Sequence, residues 1–68
     1  MFLHEAIAQV LRDNNKSMTM IDLAEEINHK KLYRRKDGKD IEPGQISARV
    51  SNHPELFVSV EGEIRLKG

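Results

Sequence analysis

Phe2, Leu3, Ala6, Ile7, Val10 and Leu11 recur at i, i+1, i+4, i+5, i+8 and i+9, the spacing of one apolar stripe along an α-helix. The stripe runs out at Asn14-Asn15, where the first helix is expected to end. His4, Glu5 and Gln9 interrupt the apolar run, so the segment reads as neither a signal peptide nor a membrane span. A second helix is expected to start at Thr19, whose hydroxyl can cap it while Asp22, three residues on, completes a capping-box-like pair. Its apolar stripe is Met20, Leu23, Ala24 and Ile27, which leaves Asp22, Glu25, Glu26 and Asn28 to water. Lys30 and Lys31 follow near its C-terminal end, where the macrodipole favours cations. Between the two helices, Lys16-Ser17-Met18 is short enough to form a turn and a single β-bridge.

Residues 33–40 show no apolar periodicity and carry a turn signal at Asp37-Gly38, so they are expected to form a solvated loop. Pro43 suits the first position of a third helix over 43–52, because its missing N–H would be unpaired there in any case. Pro54 blocks extension beyond His53. Two short apolar runs, 56–60 and 63–67, then flank Glu61-Gly62 and predict a β-hairpin. Its phase stays open. A two-residue turn would put Phe57, Ser59, Ile64 and Leu66 on one face, whereas a type I turn with a bulge at Gly62 would shift that pairing by one. None of these helices is long enough to persist alone in water and a lone hairpin is marginal, so each must bury its apolar side against the others. Helix, helix, loop, helix, hairpin is the order of a winged helix-turn-helix, an α+β and mainly α fold.

With 68 residues the chain has room for one core, and residues 1–68 are read as a single domain. A chain of this size buries roughly 60% of the surface that its unfolded form exposes, so its stability is expected to be a few kcal/mol. It has no cysteine, which removes disulfides and thiolate zinc sites and fits a reducing, cytoplasmic setting.

Formal net charge is zero, which argues against holding nucleic acid by bulk electrostatics. The average conceals a pattern. Residues 1–29 carry two basic and five acidic side chains, residues 30–39 six basic and one acidic, and residues 40–68 three basic and five acidic. One basic segment, Lys30, Lys31, Arg34, Arg35, Lys36 and Lys39, thus lies between two acidic stretches and is where a polyanion would be met first.

With Ile46 and Val50 taken as the core residues of the third helix, Gln45, Ala48 and Asn52 fall opposite them. Gly44 and Ser51 border that face, and Ser47 and Arg49 occupy the flanks. Such a face suits a DNA groove, since Gln and Asn can bond adenine, Ala can meet a thymine methyl, and Arg can reach guanine or a phosphate. The candidate DNA-binding residues are therefore Gln45, Ser47, Ala48, Arg49, Ser51 and Asn52, with Arg34, Arg35, Lys36 and Lys39 on phosphates. Asp40 and Glu42 beside the helix, and Glu61 and Glu63 in the hairpin, oppose an anion and set the expectation of weak affinity. His4, His29 and His53 show no metal-ligand spacing and read as separate surface or capping histidines. No combination of acid, base and nucleophile is visible, so no catalytic residue, metal, cofactor, small-molecule substrate or membrane partner is expected.

The chain resembles the HARE-HTH domains, winged helices of restriction and chromatin-associated proteins related to the N-terminal domain of the RNA polymerase delta subunit. The likeness spans nearly the whole chain. It rests on Glu5-Ala6-Ile7, the segment 20–27, Leu32-Tyr33 before Asp37-Gly38-Lys39, Pro43, and Phe57-Val58 through Gly62 to Leu66. Its most specific part is Gln45-Ile46-Ser47-Ala48-Arg49-Val50. The resemblance implies a non-catalytic module that recognises double-stranded DNA, fused to or working beside an effector such as a restriction nuclease, with Gln45, Ser47, Ala48 and Arg49 as the reading face. The acidic Glu61-Gly62-Glu63 wing departs from the pattern and opposes wing contact with phosphate. The alternative is a protein-interaction winged helix docking on RNA polymerase or a partner nuclease, which an exposed apolar patch at Leu56, Val58 or Val60 would favour.

Overall fold

A computed structural model describes residues 2–67. It contains α1 (Leu3–Asn14), β1 (Met18–Thr19), α2 (Met20–Lys30), α3 (Pro43–Ser51), β2 (Phe57–Val60) and β3 (Glu63–Leu66). This is the architecture of a winged helix, as the pattern of apolar positions predicts. At the start of α1 the Glu5 carboxylate accepts the Phe2 N–H at 2.7 Å, satisfying a backbone donor that the helix cannot pair. Asn15 ends α1 in the left-handed conformation and returns its N–H to the Leu11 carbonyl at 2.9 Å.

Thr19 caps α2 as expected, its hydroxyl accepting from the Asp22 N–H at 3.1 Å. That hydroxyl bond is the half of the anticipated pair that forms. The far end closes as a Schellman motif: the Lys31 N–H reaches the Asn28 carbonyl at 3.3 Å and the Leu32 N–H the Ile27 carbonyl at 3.0 Å. Lys31 is left-handed in this motif, with φ 53°, a place where glycine is usual.

The hairpin phase is settled by its register. Phe57 pairs with Leu66, Ser59 with Ile64 and Val60 with Glu63, so the turn has two residues. Glu61 and Gly62 both have positive φ, 52° and 80°, the type I′ shape whose twist matches the flanking strands. Phe57 and Ile64 consequently point together into the core. The expected single bridge is a two-pair strand, with Met18 opposite Ile64 and Thr19 opposite Glu63, which gives an antiparallel sheet of order β1-β3-β2.

Helices and sheet meet over Ile7, Val10, Leu23, Ile27, Ile46 and Ile64, all of them fully buried. Ile41 joins this core from the α2–α3 connection, and Leu32 and Tyr33 pack against it from the other end of the same connection. Asn28 departs from expectation. Instead of facing water it is half-buried, with its side-chain amide donating to the Ile41 carbonyl at 2.9 Å and its side-chain oxygen accepting the Ile41 N–H at 2.8 Å. The 31–42 connection is thus anchored near both ends, by Leu32 and Tyr33 and by Ile41, while most of its middle is open to solvent.

Candidate nucleic-acid interface

The third helix starts at Pro43 and turns Ile46 and Val50 into the core, as its periodicity requires. Gly44, Ala48, Ser51 and Asn52 are exposed, while Ser47 and Arg49 on the flanks are half-buried. Gln45 is half-buried too, although the helical phase puts it opposite the core. Its side-chain oxygen is engaged twice, accepting the Glu42 N–H at 3.0 Å and Arg35 Nη1 at 3.3 Å. The first of these bonds caps α3; the second ties the basic connection to the first turn of the helix.

Arg35 is held from its other side by Asp37, whose carboxylate accepts Nη2 at 2.8 Å. Asp37 also accepts the Lys39 N–H at 3.0 Å, and the Gly38 N–H bonds the Arg35 carbonyl at 3.0 Å, so the 35–38 segment is a closed turn. Gly38, with φ 76°, supplies the left-handed conformation this turn needs. Two depressions flank Tyr33. One, of about 280 Å³, is lined by Arg35, Lys36, Asp37 and Gln45 together with Tyr33. The other, of about 220 Å³, has Tyr33 beside Lys31, Arg34 and Lys39, with Asn28, Gly38 and Asp40 completing its wall.

The fold therefore brings Arg35 and Lys36 next to Gln45, and gathers Arg34 and Lys39 on the far side of Tyr33. Ser51 and Asn52 lie roughly 10 Å further along the helix axis than Gln45 and are not part of that cluster. Lys31 belongs with Arg34 and Lys39 but is absent from the sequence-based set of site residues. Its place in the basic run is the available signal, masked by its apparent role at the end of α2. Asp37 and Asp40 temper the positive potential, and Asp37 is already engaged by Arg35. In the hairpin, the Glu63 carboxylate is turned to Ser17, whose hydroxyl donates to it at 2.6 Å.

Two of the histidines that read as separate in the sequence are brought together. The rings of His4 and His53 stack with centroids 4.1 Å apart, and Phe2 stacks on the His4 ring at 5.7 Å. His53 Nδ1 contacts the Glu55 carboxylate at 3.1 Å. Glu55 is held below its ordinary range, first by its own backbone N–H and then by His53. No group of three or more potential metal ligands occurs among the described residues, and no helix among them is long and apolar enough to cross a membrane.

Neither curated proteins nor solved structures yield a match to this chain. A family model does match: that of the HARE-HTH domain, whose description names ASXL and restriction endonuclease among the proteins that carry this HTH domain, aligns with residues 1–68. The match covers the whole chain and agrees with the three helices, the hairpin and the α2–α3 arrangement described above. The chain belongs to the HARE-HTH family of helix-turn-helix domains.

Proposed function

We propose that this domain is a non-catalytic module that binds duplex DNA, with α3 in the major groove and the 31–42 connection along the adjoining backbone. The observation that carries this reading is the Arg35–Gln45 hydrogen bond, which fixes a cluster of cations beside the N-terminal half of α3. Ala48, Ser51 and Asn52 form the part of the helix free to meet base edges. Ser47 and Arg49 flank them and reach the groove walls. Gln45 has a narrower role than its side chain would allow, because its oxygen is committed to Glu42 and Arg35. Its amide N–H groups remain as donors, so it would recognise an acceptor and not bridge adenine bidentately.

Arg34, Arg35, Lys36 and Lys39, joined by Lys31, supply the phosphate contacts. The nearby carboxylates of Asp37, Asp40 and Glu42 keep these contacts weak, and the acidic wing adds little. Sequence preference and effector action would then come from a partner working beside the module, a restriction nuclease being the kind that the family description names. Fluorescence anisotropy of a labelled duplex, titrated with the protein at increasing salt, tests the core of the reading. Four to five phosphate contacts give a slope of log K against log salt of about −4. Absence of binding at low ionic strength overturns it.

A further inference from the structure

The connection before α3 is not the one place where cations gather. Arg12 in the last turn of α1, Lys16 in the turn that follows and Arg65 on β3 line a single open cleft of about 600 Å³. Half-buried Leu66 contributes apolar surface over the buried Leu11, Asn15 contributes a neutral polar group, and Ser17 already donates its hydroxyl to Glu63. None of these residues belongs to α2, α3 or the 31–42 connection, so the cleft is separate from the candidate DNA interface. Among the described residues Arg12, Lys16 and Arg65 form no ion pair, in contrast to Lys30 and Arg35, which are paired with Glu26 and Asp37. The left-handed Asn15 turns the chain between Arg12 and Lys16, and pairing of β1 with β3 brings Arg65 alongside.

We propose that this cleft is a docking site for an acidic peptide segment of a partner protein, one that presents carboxylates to the three cations and an apolar side chain to Leu66. Charge complementarity identifies the occupant as acidic. The surroundings identify it as a peptide. Arg65 also borders a neighbouring depression lined by Glu61 and Glu63. Duplex DNA, with a charge about every 1.7 Å, would run onto those carboxylates, whereas a short segment can place its few acidic residues on the three cations alone. Bare phosphates, moreover, would leave the exposed part of Leu66 unused. The inference stands apart from the DNA reading, since it uses none of the same residues.

The test is an NMR titration of the 15N-labelled 68-residue chain with a synthetic peptide of alternating glutamate and leucine. Amide shifts are expected at Leu11, Arg12, Asn15, Lys16, Ser17, Arg65 and Leu66. The R12E/K16E/R65E variant, checked for native fold by its dispersed spectrum, should bind this peptide about tenfold more weakly or worse. A second variant, R34A/R35A/K36A/K39A, should bind it as the parent does. Peptide shifts confined to the 31–42 connection, or equal peptide affinity in the charge-reversed variant, overturn the proposal. So does a duplex that shifts the cleft residues and loses affinity in the charge-reversed variant, for the cleft is then a second phosphate contact. Failure of the parent chain to bind duplex DNA leaves these outcomes unaffected and bears only on the function proposed for α3.

Discussion

His4 and His53 stack ring on ring, 4.1 Å between centroids, and so join the first turn of α1 to the segment that leaves α3. The contact closes the helical body at the end remote from the α2–α3 connection. A stacked ring pair contributes on the order of 1 kcal/mol beyond simple burial. A double-mutant cycle with H4A and H53A, followed by urea denaturation, should therefore return a coupling energy of that order. Additive effects of the two substitutions would show that the rings are neighbours without mutual stabilisation.

Glu55 gives the acid limb of the stability curve a specific contributor. Its carboxyl is held low in the folded chain, chiefly by its own backbone N–H and then by His53. A carboxyl that ionises more readily in the fold than in the unfolded chain favours folding at neutral pH, and that contribution is lost as pH falls through its lowered range. The E55Q variant should accordingly lose less stability than the parent on acidification below the ordinary glutamate range. Urea midpoints measured across the acidic range would decide this, with parallel curves counting against it.

The wing turn carries a local strain that a substitution can relieve. Glu61 has φ 52° at the first central position of a type I′ turn, where asparagine and glycine are preferred. E61N should stabilise the domain by about 0.5–1 kcal/mol, raising its urea midpoint. It also removes one wing carboxylate, so affinity for duplex DNA should rise slightly in the same variant. A lower midpoint would mean that the glutamate makes up for its backbone cost in some other way.

Asn28 satisfies both the N–H and the carbonyl of Ile41. Replacing it with alanine strands two backbone groups and should cost about 1–3 kcal/mol. The signature that separates this from a general loss is local: hydrogen exchange should accelerate first in the 31–42 connection, ahead of α1. Uniform acceleration throughout the chain would contradict the clamp.

For the candidate interface, R34A/R35A/K36A/K39A should weaken binding to duplex DNA and flatten its salt dependence by about 0.9 for each phosphate no longer neutralised. The single variant R35Q is more informative, because Arg35 serves two ends. It should lower affinity and also free Gln45, detectable as a shift of the Gln45 side-chain amide resonances. An unchanged salt slope in the quadruple variant would remove the connection from the interface.

The helices are legible in the sequence because burial imposes a period, and Ile7, Leu23, Ile27 and Ile46 fall on it. The hairpin is legible in outline but not in phase, since Glu61-Gly62 is compatible with two turn types and the choice between them is read from the β2–β3 register. Asn28 escapes for a related reason. Helical phase places it outward, and nothing local reveals that Ile41 folds back over it. The basic connection is visible as a run of charges, yet the Arg35–Gln45 bond depends on how the connection returns to α3. Arg12, Lys16 and Arg65 are invisible as a group because each stands in an acidic stretch and only the sheet brings them together.

Thr19 belongs to two elements at once, pairing with Glu63 in the sheet and capping α2 through its hydroxyl. The wing cannot tilt independently of the helix that precedes the basic connection without straining one bond or the other. Force applied at the hairpin tip is thereby felt at the start of α2, and the domain should meet a partner as one rigid lever and not as a body with a loose flap.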